Sequence, residues 1–175
     1  MHRLSVDEFK AASKLPLIVV LDNVRSLHNV GSVLRSCDAF RVEAVYLCGI
    51  TATPPSAEIH KTALGAEDSV TWKYFAQTTD AIDELHAKGT KVYAVEQVAR
   101  STMLQNLDTE VGTRYAVVLG NEVKGVQQTV VDLCDGCLEI PQFGTKHSLN
   151  VSVAAGIVVW EFAKKIGKGE EVERR

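Results

Sequence analysis

Three polar stretches of this chain combine residue types that can recognise oxygens and stabilise charge. The first, Asn29-Val-Gly31-Ser-Val-Leu-Arg35, pairs an amide with a guanidinium. The second, Gly120-Asn-Glu122-Val-Lys-Gly125, brackets a carboxylate between glycines. The third, Ile140-Pro-Gln-Phe-Gly-Thr-Lys-His-Ser148-Leu149-Asn150, ends in a hydroxyl and an amide at the start of an apolar helix pattern. A guanidinium holds phosphate or stabilises a developing oxyanion. Glu122 is placed to pair with Arg35 or to accept from a sugar hydroxyl. Glycine lets a ligand approach the backbone closely. Neither a Gly-Lys-Ser/Thr phosphate loop nor a G-x-G-x-x-G dinucleotide loop is present.

Each stretch follows an apolar run of strand length. Leu17-Ile-Val-Val-Leu21, Ala44 to Cys48, Lys91 to Val95, Tyr115 to Leu119 and the short Cys137 to Ile140 read as strands, and Ser69 to Phe75 as another. Helical patterns fall at 28–40, 56–64, 78–88 (stopped by Gly89), 126–134 and 148–166, with Ser148 at the N-cap of the last. Strands alternating with helices predict an α/β fold, a parallel sheet with helices on both faces. Ligands on such sheets bind beyond the carboxyl ends of the strands, where the three stretches lie. Residues 1–16 read as an N-terminal helical segment capped by Ser5 or Asp7 and ended by Pro16, 17–166 as one domain, and 167–175 as a charged tail.

In the first helix, Val30, Val33, Leu34 and Cys37 form the core face, while His28, Gly31, Ser32 and Arg35 share another. The small residues there leave room for a phosphate or a second chain near the guanidinium. Val95-Glu96-Gln97 is a fourth strand exit, on its residues alone an ordinary loop. The last helix carries two apolar stripes, one with Leu149, Val153, Gly156, Ile157 and Trp160, the other with Val151, Ala155, Val158 and Phe162. Both need burying, either within the domain or against a second subunit.

With 175 residues, 46% hydrophobic and 23% charged, the chain has the balance of one globular domain. No apolar run approaches the ~20 residues of a membrane span, and no apolar signal core opens the sequence. The expectation is a soluble cytoplasmic protein without a membrane partner. A net charge of −3 argues against a general basic field for nucleic acid and leaves local cations, Arg25, His28 and Arg35 on one loop and Lys146 with His147 on another. Cys134 and Cys137 form a lone C-x-x-C with no second ligand pair, so packing is expected there and not a metal.

Taken together, the three stretches resemble the motifs of the SpoU/TrmH family of RNA ribose 2′-O-methyltransferases, in the SPOUT superfamily, over residues 17 to 165. The resemblance implies a C-terminal trefoil knot, S-adenosylmethionine as cofactor, an RNA substrate and a homodimer with its site near the interface. It implies a catalytic set of Asn29, Arg35, Glu122, Ser148 and Asn150. Implied cofactor contacts are Glu96, Gln97, Leu119, Gly120, Ile140, Ser148 and Leu149, and Arg25, His28, Lys146 and His147 face RNA. Val95-Glu-Gln, Leu119-Gly-Asn-Glu and Ser148-Leu-Asn look most like the tRNA guanosine branch, with rRNA as the alternative substrate. The family's proposal makes Arg35 the base. A guanidinium gives up its proton too reluctantly to serve as a base and suits phosphate binding and charge stabilisation better. A non-catalytic RNA-binding module on the same fold, or an unrelated nucleotide-binding α/β enzyme, are the readings from other classes.

Overall fold

The computed structural model describes residues 3–167. Helix α1 (Val6–Ala11) starts at a capping box in which Ser5 and Glu8 satisfy each other's backbone N–H groups. The helix ends at Ala12, earlier than Pro16, and Pro16 lies inside β1 (Leu15–Asp22). A register irregularity between Leu15 and Ile18 accommodates the residue that has no N–H to give the ladder. There follow α2 (Leu27–Ala39), β2 (Val42–Cys48), α3 (Ala57–Ala63), α4 (Ala66–Ser69), β3 (Trp72–Phe75), α5 (Thr78–Ala87) and β4 (Lys91–Val95). The chain continues through β5 (Thr102–Met103), a 3-10 turn at Leu104–Asn106, β6 (Tyr115–Leu119), α6 (Gln128–Leu133), β7 (Gly136–Glu139) and α7 (Val151–Ile166). Gly167 caps α7, and the rest of the expected charged tail lies outside the described residues.

The strands form one seven-stranded sheet in the order β3-β2-β1-β6-β4-β7-β5, with every pairing parallel. Alternate residues serve opposite faces. Leu17, Val19, Leu21, Val117 and Leu119 pack under α2, α3, α4 and α7, and Ile18, Val20, Ala116 and Val118 under α5 and α6. Burial on both faces explains why these strands read as unbroken apolar runs. The chain builds outward from β1 to β2 and β3, then crosses to β4 on the other side of β1, leaving the slot that β6 fills. The exits of β1, β6, β4 and β7 are therefore neighbours at one edge of the sheet, where the order reverses.

On α7, Val151, Ala155, Val158 and Phe162 are buried in this domain, while Val153, Ile157 and Trp160, with Leu149 just before the helix, are 38–52% exposed. The first stripe is thus core. Only the second is left for an outside partner. Cys37 and Cys48 are core residues, and burial pushes the Cys48 thiol up to about 12. Cys134 and Cys137 pack against the α5–α6 core.

Candidate active site

The exit of β1 is fixed by a buried carboxylate. Asp22 accepts from Thr78 Oγ1 at 2.6 Å and from the Gln127 backbone N–H and side-chain Nε2, both at 2.9 Å. It ties β1 to the amino end of α5 and to the segment after β6. Asn23 follows with φ 54°, and its Oδ1 accepts from Ile50 N–H. Asn121 bridges back: its Nδ2 donates to Asn23 O at 2.9 Å, while its Oδ1 accepts from Val123 and Lys124 N–H and closes the turn to Gly125. Gly120 is required because a Cβ there would lie 2.1 Å from the carbonyl carbon of Gly125.

This turn delivers Glu122 to the start of α2. Its carboxylate accepts from Arg25 N–H, Ser26 N–H and Asn29 Nδ2, each at 3.0 Å. Partial burial raises the Glu122 pKa, but the donors from Arg25, Ser26 and Asn29 outweigh it and hold the carboxyl below its ordinary value. The amino end of α2 adds favourable charge. Glu122 therefore orders the β1–α2 loop, and its partners are backbone groups and Asn29, with no bond to Arg35. From α7, Asn150 Nδ2 donates to Asn29 Oδ1 at 3.3 Å. Asn150 is the N-cap, accepting from Ser152 and Val153 N–H. Ser148, expected in that role, stands in the preceding loop. Both residue types cap helices well, and the cap falls on the one that reaches Asn29.

Beside this network lies a cleft of about 280 Å³ between the exits of β4, β6 and β7. Leu119, Leu138, Ile140, Leu149 and Val151 supply apolar wall, and Glu96, Gln97, Gly120 and Ser148 line it too. All the residues expected to hold a cofactor thus meet at one cavity. Glu96 Oε1 accepts from Val126 N–H at 2.6 Å and sits over Gly125, where a Cβ would meet it at 2.2 Å. Among the described residues, the backbone of 140–149 makes no hydrogen bond to the rest of the chain. Those N–H and C=O groups remain for a ligand.

Arg35 is exposed on α2, with no partner among the described residues. Gly31 is different from its expected use. It is buried against α3, where a Cβ would strike Thr62 Oγ1 at 2.1 Å, so it serves helix packing and leaves no opening for phosphate. His28 turns to α3 as well and meets Glu58 Oε2 at 2.9 Å. Arg25, Lys146 and His147 are exposed near the cleft mouth, and His147 lines it. Sequence reading missed Asp22, Asn23 and Asn121. The available signal was the first polar residues after the buried runs ending at Leu21 and Leu119. Among the described residues no group of three or more His, Cys, Asp or Glu is arranged for a metal, and no helix is long and apolar enough to cross a membrane.

Residues 16–160 match the model of the SpoU rRNA Methylase family. The 23S rRNA (guanosine-2′-O-)-methyltransferase RlmB of Nitrosomonas europaea is 36% identical over 156 residues, covering 89% of this chain and 58% of that protein. The chain spans less than two thirds of the length of the curated relatives it matches. Among solved structures, the A. aeolicus TrmH/SpoU tRNA modifying enzyme superposes with a TM-score of 0.82 at 25% identity, over 94% of this chain and 83% of that one. An AdoMet-bound rRNA methyltransferase from Sinorhizobium meliloti gives 0.79 at 28% identity, over 87% and 60%. With the parallel sheet, the clustered strand exits and the match across most of its length, this chain belongs to the SpoU rRNA Methylase family.

Proposed function

We propose that the chain transfers a methyl group from S-adenosylmethionine to a ribose 2′-hydroxyl of structured RNA. The observation that carries this is the junction of two differently built features: a cleft of mixed apolar and polar lining bordered by free backbone groups, and a network of Glu122, Asn29 and Asn150 on its rim. The cleft fits the cofactor chemically. Leu138, Ile140 and Leu149 offer apolar surface to a planar base, and the loop at 140–149 offers backbone donors and acceptors for its edge. Gly120 lets the β6 loop fold flat against Gly125, and Glu96, Gln97 and Ser148 are polar groups for the remaining hydroxyl and charged ends. When bound, the cofactor supplies a methyl carbon whose bond to sulfur breaks with the electron pair left on sulfur, while the ribose oxygen gains the methyl and loses its proton.

This chain's residues would align the hydroxyl, stabilise its charge and hold the RNA. Arg35 is the guanidinium for phosphate, and Arg25 and Lys146 add positive charge for the RNA backbone. Arg35 acts by charge and by its planar fork of donors. His28 contributes less to RNA, since Glu58 engages its ring. Our reading of the substrate is tRNA, supported by the likeness to a tRNA modifying enzyme that this chain covers to 83%. A second reading, ribosomal RNA, is favoured by the 36% identity to the 23S enzyme. The exposed stripe Leu149, Val153, Ile157 and Trp160 begins at the cleft, and we assign it to a homodimer interface.

The test is methyl transfer from labelled S-adenosylmethionine to total RNA, followed by nucleoside analysis. The expected product is a labelled 2′-O-methylnucleoside in the tRNA fraction. Label in ribosomal RNA selects the second reading. Cofactor and RNA binding without any transfer would reduce the chain to a non-catalytic module.

A further inference from the structure

The side-chain amides of Asn29 and Asn150 are each oriented by their neighbours. Glu122 Oε1, an ionised acceptor, lies 3.0 Å from Asn29, so the atom facing it is the amide nitrogen. That turns Asn29 Oδ1 toward Asn150, whose Nδ2 donates to it at 3.3 Å. From the other end, Asn150 Oδ1 is fixed as the acceptor by Ser152 N–H at 2.9 Å, Val153 N–H at 3.3 Å and the Ser152 hydroxyl at 2.5 Å. The two constraints agree. Inverting either amide alone would set donor against donor or acceptor against acceptor. The chain of bonds has one direction, from α7 to Glu122, and each amide nitrogen has used one hydrogen and keeps another.

We propose that Asn29 and Asn150 donate these remaining N–H groups to the reacting 2′-oxygen of the RNA ribose, stabilising its negative charge without accepting its proton. This rests on the methyl-transfer reading above and assigns a role within it. An amide N–H offers no lone pair for a proton. Glu122 is a weak base because three N–H donors already occupy it. The hydroxyl proton passes to solvent water as the oxygen forms its bond to the methyl carbon. The amino end of α7, sixteen residues long and capped by Asn150, adds partial positive charge at the same point.

The experiment uses Asn150→Asp and Asn150→Ser. Both residues are good helix caps, so the capping role of Asn150 is kept while its amide N–H groups are removed. Both variants should stay folded, within a few degrees of the wild-type unfolding temperature, and keep the wild-type cofactor affinity by calorimetry. Their kcat should fall about 100-fold or more, the usual loss for an oxyanion donor, with KM for RNA little changed. A second readout needs no cofactor. The wild type should bind an RNA fragment severalfold more tightly with a 2′-hydroxyl than with a 2′-deoxy sugar at the nucleotide it methylates, and Asn150→Asp should lose that preference. Transfer by Asn150→Asp or Asn150→Ser within threefold of wild type would overturn the donor role and leave the methyl-transfer reading standing. An inactive wild type would overturn that reading and this inference with it.

Discussion

Around Glu122, polar groups are matched one to another: its carboxylate takes three N–H donors, Asn121 closes its own turn and reaches Asn23, and Asp22 binds Gln127 twice. Across the cleft, residues 143–150 are all exposed, and the backbone of 140–149 bonds to nothing else among the described residues. Ordering a residue costs about 1–2 kcal/mol of backbone entropy. On the first wall that cost is met during folding, by hydrogen bonds inside the protein. On the second it falls due when a ligand supplies the partners. The wall built on Glu122 is set by bonds inside the protein, and the wall at 140–149 keeps backbone groups free for a ligand.

Glycine substitutions should separate the two walls most sharply. Gly120→Ala forces a Cβ into the backbone of Gly125 and Val126, and should cost at least about 2 kcal/mol in denaturant unfolding. Gly144→Ala on the other wall has nothing within 4 Å and should stay within about 0.5 kcal/mol of wild type. Comparable losses would erase the distinction.

Arg35→Ala should abolish methyl transfer while leaving cofactor affinity within tenfold, about 1.4 kcal/mol, because Arg35 stands on α2 and not among the cleft residues. Arg35→Lys should fail as well, a point charge being unable to replace the planar fork. A tenfold loss of cofactor binding by calorimetry would move Arg35 to the other wall.

Two substitutions on α7 test what its faces do. Val158→Asp places an unpaired charge in the core and should prevent folding, whereas Ile157→Asp, on the exposed stripe, should give a folded monomer in sedimentation. A wild type that sediments as a monomer at micromolar concentration would refute the dimer.

The smallest effect is in pH. The Glu122 carboxyl is held below its ordinary value near 4.5, so its contribution to stability is present above that pH and fades as pH falls through the lower folded value. The stability difference between wild type and Glu122→Gln should therefore shrink on acidification from pH 6 to 3. A difference that grows in acid would contradict the assignment of its donors.

Strand exits were legible because β1 and β6 are buried on both faces and read as apolar runs, which located the loops after them but not the roles of Asp22, Asn23 and Asn121. Local partners were not legible. Asn29, Glu122 and Asn150 stood out by type, but that Glu122 meets Arg25 and Ser26 N–H follows from the β1–β6 pairing, which no local pattern encodes. Periodicity on α7 marked two apolar stripes without saying which would meet the sheet. Gly31 was misread because a small residue on a helix face signals close approach without naming the neighbour, here α3. Helix α4 and strand β5 are four and two residues long, too short for a period to show.

Amide hydrogen exchange with and without S-adenosylmethionine tests the two-wall account most directly. Protection should rise across 140–149 on cofactor addition and stay unchanged at 23–29, where the N–H groups of Asn23, Val24, Arg25, Ser26 and Asn29 are already bonded in the free protein. Protection appearing at 23–29 while 140–149 still exchanges freely would contradict it.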